Sequence, residues 1–432
     1  MSSTNDGVTS GSPRAFAVRI LINRFDRSSG FDAQLASEAF LGLEPRDQVL
    51  VKELINGTCR WRGTIDFFIS ALSRKPLSRL DKEVLWILRT AIYQIVFLRV
   101  PNHAAVNEAV SLCRHFRKRS AAGFVNGLLR SFLRGRPEIP EDHSVESLAI
   151  RFSHPSWLVE RYVNRFGLAK AKRLLSRNNT VPEPVVWVNP FKTTRELFLE
   201  RLRAEGIEAA PLGQLPAAAV IKAPRFHEHP LYREGSCFFM DPSSQRIANL
   251  VDLSRCEWVA DVCSAPGGKA MILASQLRPE ARLICADSSW RRLDQMKKRF
   301  EHHGVRGVSL ALADLTGQAP WRAQFDFVLA DVPCSGLGTI RSNPDVRWSV
   351  HPAELDRYHI RQLQILRNAF AGLKPGGEMV YSTCSTEVEE NEEVVNAFLQ
   401  SQKNAAVFGD FIRTFAEEAS GDGFFAARIR RL

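Results

Sequence analysis

The chain has 432 residues, of which 45% are hydrophobic and 24% charged, so it is globular in composition and too long for one ordinary core. Its formal net charge of +11 favours a polyanionic partner, and the absence of any apolar run of transmembrane length argues against a membrane protein. The cysteines are scattered without a C-x-x-C pair, which argues against zinc and for a reducing compartment. We therefore expect a cytoplasmic protein, by default a monomer, with no metal.

Residues 1–12 are rich in Ser, Thr and Gly and predict a disordered lead without the basic-then-apolar order of a signal peptide. Over residues 13–136 the apolar side chains recur at helical spacing, most clearly over 84–96, and we expect only helices. The basic stretch 114–119 lies beside these helices and could contact RNA phosphates, although a solvated helix end explains it as well.

Two segments of this helical region resemble a known signature. Residues 101–110 read Pro-Asn-His-Ala-Ala-Val-Asn-Glu-Ala-Val, and residues 123–130 read Gly-Phe-Val-Asn-Gly-Leu-Leu-Arg. Both halves, in this order, are similar to the NusB-like all-helical RNA-binding domain. The resemblance implies that residues 13–136 form such an all-α domain and bind RNA.

Residues 137–240 predict linker helices followed by a small α/β module. The stretch 178–184 has the composition of a linker, and strands are expected at 185–188, 217–222 and 235–241, with an amphipathic helix between the first two. This module is too short to hold a cofactor alone. It either packs against a neighbouring domain or contacts RNA.

From residue 241 to 432 strands and helices alternate, which predicts an α/β domain with a parallel sheet and helices on both faces. Expected strands are followed each time by a helix or a polar loop, at 258–263, 282–286, 308–312, 327–330 and 378–382. Sites in such Rossmann-like sheets lie beyond the carboxyl ends of the strands. The residues that follow these strands are therefore the candidates for chemistry.

The loop after the first of these strands contains two adjacent glycines at the start of a helix, Gly267 and Gly268, which let a ligand approach the backbone. Its spacing fits neither a dinucleotide fingerprint nor a Walker A loop. Asp287 ends the next strand, at the position of an acid that holds ribose hydroxyls. Asp314 could accept a hydrogen bond from an adenine amino group.

Each acid alone could instead be a helix N-cap at a strand–helix turn, although this is the less favoured explanation. Three acids at successive strand ends, Asp287, Asp314 and Asp331, together favour S-adenosylmethionine, which has a ribose, an adenine and an amino-acid tail but no phosphate.

Cys334 and Cys384 each follow a strand closely, and each is flanked by serine. A thiolate that adds to C6 of a cytosine makes C5 nucleophilic enough to accept a methyl group. Lys269 is a candidate cation for favouring the thiolate, and Asp331 for supplying a proton or hydrogen bond at N3. A strand-end cysteine is usually just a small buried hydrophobe, but the repetition of the arrangement argues against that explanation.

Five segments carry a second resemblance. They are Asp-Val-Cys-Ser-Ala-Pro-Gly-Gly-Lys at 261–269, Asp-Val-Pro-Cys-Ser-Gly at 331–336, Arg-Ser-Asn-Pro-Asp-Val-Arg-Trp at 341–348, Tyr-Ser-Thr-Cys-Ser at 381–385 with Glu-Asn-Glu-Glu at 390–393, and Gly-Asp-Gly-Phe-Phe at 421–425. Together they resemble the motifs of the RsmB/Sun-type RNA 5-methylcytosine methyltransferases. The resemblance implies a class I Rossmann-like methyltransferase domain over residues 241–432. It also implies that the substrate is the small-subunit (16S) ribosomal RNA.

By this resemblance Cys384 is the nucleophile and Cys334 assists release of the methylated base. The cofactor would be bound by Cys263, Ser264, Ala265, Pro266, Gly267, Gly268, Lys269, Asp287, Asp314 and Asp331. Asp331 thus has two expected roles, towards cofactor and base. A DNA cytosine-5 methyltransferase with Cys334 as nucleophile, a nucleotide-dependent dehydrogenase, a transfer RNA methyltransferase and a non-catalytic RNA-binding scaffold are the alternatives.

Overall fold

The computed structural model describes residues 12–26, 31–213, 215–415 and 421–432. The predicted disordered lead at 1–12 lies, apart from Ser12, outside the described residues. Backbone contacts divide the chain into two units. The helical unit consists of Met1–Asn179 with Asn343–Ser349, and the α/β unit of Thr180–Ser342 with Val350–Leu432.

The helical unit is built from α-helices joined by short loops. In chain order they are α1 (Pro13–Asp26), α2 (Phe31–Leu35), α3 (Glu38–Leu41), α4 (Pro45–Leu72), α5 (Lys82–Phe97), α6 (Asn102–His115), α7 (Ala122–Arg134), α8 (Val145–Phe152) and α9 (Ser156–Arg177). Every regular element among the described residues of 13–136 is a helix, so the predicted all-helical character is confirmed there.

Helix α5 forms the centre of this unit. Its residues from Trp86 to Gln94 are all buried, as in a helix enclosed on every side. It packs against α1, α4, α6 and α7. The one cation in this stretch, Arg89, donates to both carboxylate oxygens of Asp66, at 2.7 and 2.8 Å, so its charge is paired in the core.

The helical unit extends beyond residue 136. Helix α8 packs on α4, where Thr64 Oγ1 donates to Ile150 O at 2.6 Å and Gly63 N donates to Ser153 Oγ at 2.9 Å. The segment Asn343–Ser349 is part of the same unit, and its Trp348 Nε1 donates to Cys59 O at 2.7 Å. The motif at 341–348 therefore contributes its last residues to the helical core.

The α/β unit begins with a small antiparallel sheet in the order β2-β3-β1-β4. Its strands are β1 (Val185–Val188), β2 (Ala209–Pro211), β3 (Ala218–Ile221) and β4 (Cys237–Phe239), with helices α10 (Arg195–Ala204) and α11 (Pro230–Arg233). Phe198 and Leu202 of α10 are buried on this sheet together with Val186 and Val188. The predicted strands of the small module are thus present.

The large sheet has the order β10-β12-β9-β8-β5-β6-β7, with β11 paired to β12. Its strands are β5 (Trp258–Asp261), β6 (Arg282–Asp287), β7 (Val308–Leu312), β8 (Phe325–Asp331), β9 (Leu373–Thr383), β10 (Ala405–Val407), β11 (Ile412–Thr414) and β12 (Phe424–Arg431). The helices along this part of the chain are α12 (Pro242–Ala248), α13 (Gly268–Gln276), α14 (Trp290–His303), α15 (Val346–Ser349, of the helical unit), α16 (Leu355–Ala371) and α17 (Glu392–Ser401).

Strands β9, β8, β5, β6 and β7 are parallel, as predicted. The sheet as a whole is mixed, because β12 runs antiparallel to β9 and also pairs antiparallel with β10 and β11. A wholly parallel sheet was expected, and β12 corrects that expectation.

Candidate active site

The strand order reverses next to β5. The chain proceeds from β5 to β6 and β7, and then returns to the other side of β5 with β8 and β9. Such a reversal opens a crevice at the carboxyl ends of the strands, because the loops that leave the two central strands diverge there. The topology therefore brings the residues that follow β5 and β8 to one place.

The loop after β5 is tightly determined. Gly267 N donates to Ser264 O at 2.7 Å, and Gly267 has a φ of +92°. A Cβ at Gly267 would stand 2.7 Å from Met296 Cγ and 2.8 Å from Phe300 Cε1. The position thus requires glycine for its conformation and for its space. Helix α13 begins at the next residue, Gly268.

Two cavities adjoin this loop and share Cys263, Ala265 and Asp331. The first, of about 220 Å³, is also lined by the remaining strand-end candidates, namely Asp287, Asp314, Cys334 and Cys384. The second, of about 210 Å³, is lined by the other loop candidates, namely Ser264, Pro266, Gly268 and Lys269. Gly267 lines neither cavity and shapes the turn between its neighbours.

The two acids of the first cavity differ in environment. Asp287 is buried at the end of β6, where its Oδ1 accepts from Ser289 N at 2.9 Å and forms an ion pair with Arg292 Nη2 at 2.7 Å. Asp314 is exposed, and its Oδ1 accepts from the backbone N and the hydroxyl of Thr316 at 2.9 and 2.7 Å. These bonds from Thr316 lower the pKa of Asp314. Both acids therefore face the cavity as hydrogen-bond acceptors.

Lys269, which lines the second cavity, forms an ion pair with Asp331, which lines both cavities. Lys269 Nζ donates to Asp331 Oδ2 at 2.5 Å, and Ser382 Oγ donates to Asp331 Oδ1 at 2.8 Å. Burial lowers the pKa of Lys269, but the charge and hydrogen bond of Asp331, followed by the charge of Cys384, outweigh burial and raise it. Lys269 consequently stays an ammonium, with Cys384 within its electrostatic reach.

The two cysteines meet. Cys334 follows β8 and Cys384 follows β9, and because these strands are adjacent their Sγ atoms lie 3.1 Å apart as free thiols. The hydrogen bond with Cys384, then burial, then the charge of Cys384 raise the pKa of Cys334 well above its usual value. Cys334 therefore holds its proton, while either sulfur can be the donor in the contact between them.

Some residues of the site were not singled out from the sequence. Ser382 donates to Asp331, Arg292 forms an ion pair with Asp287, and Arg361 lines the first cavity. Asp261 lines the second cavity, and burial, followed by the charge of Asp331, raises its pKa to about 7. Its position at the end of β5 could have marked it, since the other strand-end acids were found in that way.

The cavities fit an adenosyl cofactor with an amino-acid tail. The groups such a cofactor presents, ribose hydroxyls and an ammonium, are donors, and the cavity walls offer the carboxylates of Asp287, Asp314 and Asp261. Asp261 Oδ1 is buried and has no hydrogen-bond partner among the described residues. This sheet and this site define a Rossmann-like S-adenosylmethionine-dependent methyltransferase.

Comparison with known families covers most of the chain. Residues 248–430 match the family described as 16S rRNA methyltransferase RsmB/F, residues 12–134 the NusB family, and residues 154–226 the RsmF/B-like ferredoxin-like domain. The Ribosomal RNA small subunit methyltransferase B of Proteus mirabilis is 31% identical over 426 residues, which cover 98% of this chain and 99% of the relative. The chain belongs to the RsmB/F family of methyltransferases.

Two further comparisons agree. The Probable ribosomal RNA small subunit methyltransferase B of Coxiella burnetii is 32% identical over 369 residues, 84% of this chain and 85% of the relative. The crystal structure of PH0851 superposes with a TM-score of 0.84 at 23% identity and covers 98% of this chain and 100% of its own, which shows a shared fold. In the described ranges, no helix is long and apolar enough to cross a membrane, and no cluster of side chains suits a metal ion.

Proposed function

We propose that the protein methylates C5 of a cytidine in 16S ribosomal RNA, with Cys384 as the nucleophile and S-adenosylmethionine as the methyl donor. The observation that carries this proposal is the pair of thiols, 3.1 Å apart, in the same cavity as Asp287 and Asp331. Transfer to an oxygen or an exocyclic nitrogen needs no such pair. A C5 reaction needs one thiol to add and a second group to handle a proton.

The chemistry proceeds by covalent addition. The Cys384 thiolate forms a bond to C6 of the cytosine, and the added electron pair makes C5 nucleophilic. When bound, the cofactor would supply an electrophilic methyl carbon. C5 becomes bonded to that carbon as the bond between the carbon and the cofactor sulfur breaks, and the electron pair of the broken bond stays on the sulfur. The C5 proton then leaves, its electron pair restores the ring double bond, and the Cys384–C6 bond breaks. Lys269 and Asp331 offer the base a donor and an acceptor 2.5 Å apart.

The two cysteines are suited to different steps. Before addition, Cys334 is protonated, because the hydrogen bond with Cys384, then burial, then the charge of Cys384 raise its pKa. The two influences of Cys384 vanish once its sulfur is bonded to carbon, and Cys334 becomes a stronger acid. Once Cys334 has released its own proton to solvent, its thiolate is available to take the C5 proton. This order supports Cys384 as nucleophile and Cys334 as the release residue, against the reverse assignment of the DNA enzymes.

The helical unit offers a surface for RNA. A groove of about 770 Å³ between α4, α5 and α7 is lined by Arg74, Lys75, Arg79 and Arg134, and by Phe124, which is 36% exposed. Cations that track phosphates around an aromatic ring that stacks a base are the usual elements of single-stranded RNA binding. In the neighbouring basic stretch, Lys118 is instead paired with Asp81 at 2.9 Å and Glu83 at 3.4 Å.

One experiment tests which RNA is methylated, which cytidine is modified and whether Cys384 is required. Purified protein is incubated with S-adenosylmethionine and either 16S ribosomal RNA or total transfer RNA from cells lacking the gene, and products are read by bisulfite sequencing. We expect one protected cytidine in the ribosomal RNA and none with Cys384→Ala, which should still bind the cofactor with unchanged affinity. Protection only in transfer RNA would favour that alternative. Methylation without bisulfite protection, or near-normal turnover by Cys384→Ala, would refute the mechanism.

A further inference from the structure

Behind the two cysteines lies a carboxylate that the mechanism above does not use. Glu390 ends a short 3₁₀ turn, Val388–Glu390, between β9 and α17, and it is fully buried. A buried carboxylate is tolerated only when donors satisfy its oxygens. The identity of those donors therefore indicates what Glu390 holds together.

The donors come from both cysteine loops. Glu390 Oε1 accepts from Ser335 N at 2.7 Å and from Gln362 Nε2 at 3.0 Å. Glu390 Oε2 accepts from Ser335 Oγ and from Ser385 Oγ, each at 2.5 Å. Two bonds on each oxygen use the acceptor capacity of the carboxylate.

Ser335 directly follows Cys334, and Ser385 directly follows Cys384. One carboxylate oxygen thus binds the residue next to each thiol, and the two hydroxyls lie 3.2 Å apart. Tyr381 OH fixes the turn itself by donating to Glu390 O at 2.6 Å. Strand pairing of β8 with β9 ends at Asp331 and Ser382. Beyond that point the Glu390 carboxylate joins the loops, together with one backbone hydrogen bond from Gly338 N to Cys384 O at 2.9 Å.

We propose that Glu390 is a positioning residue that sets the separation of the Cys334 and Cys384 thiols and thereby the step that releases the methylated base. It touches neither base nor cofactor cavity and acts through the two serines. Its charge has a second, supporting effect, since it contributes to the raised pKa of Cys334. The consequence for turnover rests on the proposed covalent function, whereas the effect on thiol separation does not.

Two substitutions of Glu390 distinguish the effect of its side-chain length from the effect of its charge. Glu390→Asp keeps the carboxylate but withdraws it by one methylene, so it cannot hold both serines. Glu390→Gln keeps the length but loses the charge and one accepting oxygen. Glu393→Gln is the matched control, because this substitution makes the same chemical change outside the site. Glu393 is exposed on α17, three residues along the chain from Glu390.

The first measurement needs no RNA. Phenylarsine oxide condenses with two neighbouring thiols to form a cyclic dithioarsenite and water, so its affinity reports their separation. Wild type and Glu393→Gln should bind it equally, and Cys334→Ala should define the background of single thiols. We expect both Glu390 variants to bind about tenfold or more weakly than wild type, as for a site loosened by roughly an ångström. Wild-type affinity in folded Glu390 variants would overturn the proposal.

The second measurement follows turnover. With Glu390→Gln we expect kcat to fall about ten- to a hundredfold at nearly unchanged KM, while the ratio of covalent protein–RNA adduct to methylated product rises. A merely structural role would lower adduct and product together, in proportion to the folded fraction. If no protein forms an adduct, Cys334→Ala included, the proposed covalent function fails. The arsenical affinities then still decide the role of Glu390.

Discussion

At the scale of single residues, substitution of Cys334 gives the most direct test of the proposed mechanism. Its thiol is the one whose proton is retained beside Cys384, and the release step depends on it. We predict that Cys334→Ala accumulates a covalent adduct between protein and RNA, because Cys384 still adds to C6 but the C5 proton has no acceptor. The adduct is measured as labelled RNA that stays with the protein on a denaturing gel.

The controls for this prediction follow from the same pair. Cys384→Ala and the double variant should show no adduct, since neither can form the bond to C6. Cys256→Ala should behave as wild type, because Cys256 precedes β5 and the thiol pair lies beyond the opposite ends of the parallel strands. Cys334→Ala that turns over normally and retains no RNA would remove Cys334 from the release step.

From the sequence we could identify the residues that end a strand, but not all of the side chains that meet them there. Asp287, Asp331, Cys334 and Cys384 were predicted because the end of a buried strand marks a position along the chain. The bonds of Ser382 to Asp331 and of Glu390 to both serine hydroxyls depend instead on β9 lying next to β8. Adjacency of strands is a property of topology, which the local pattern does not contain.

At the scale of elements, the parallel strands were predictable for a similar reason. A buried strand followed by a helix of sufficient length leaves few connections other than a parallel crossover. This reasoning could not predict strand β12, which follows β11 without an intervening helix among the described residues and pairs antiparallel with β9. Its segment was noticed only as a motif at 421–425. A motif names residues without giving their direction in a sheet.

Helix α7 provides a prediction at this scale. Phe124 and Leu133 lie on the same helix with 36% and 37% exposure, but only Phe124 lines the groove that we propose for RNA. We predict that Phe124→Ala weakens RNA binding on the order of tenfold, because base stacking on an aromatic ring is lost. Affinity for labelled RNA and for S-adenosylmethionine is measured with each variant. Leu133→Ala should leave both unchanged, and equal losses in the two variants would mean that the groove does not hold a base.

At the scale of the whole molecule, charge governs both association and stability. The net charge of +11 favours RNA but also weakens the compact state by self-repulsion. Within the α/β unit, two buried acids add a pH-dependent contribution. Burial, followed by the charge of Asp331, raises the pKa of Asp261 to about 7, and burial, followed by the charge of Asp241, raises the pKa of Asp422 to about 7.

These two raised pKa values predict that folding stability declines as the pH rises. Between about pH 4 and about pH 7 the folded protein keeps both protons, whereas the unfolded chain has already released them. The stabilisation is therefore complete below about pH 4 and is lost as the pH passes through about 7. Each group contributes a slope of up to about 1.4 kcal/mol per pH unit to the free energy of unfolding.

Asparagine at either position removes the titration without removing the side chain. We expect Asp261→Asn and Asp422→Asn each to flatten the fall of the unfolding free energy between about pH 4 and about pH 7, measured by calorimetry or urea unfolding. Asp252→Asn is the control, because the hydrogen bonds of Ser254 lower the pKa of Asp252 and it is exposed. Its curve should keep the wild-type slope in this range. If Asp261→Asn also keeps that slope, Asp261 is already ionised in the folded protein, and its unpartnered oxygen must be satisfied by a group that enters the second cavity.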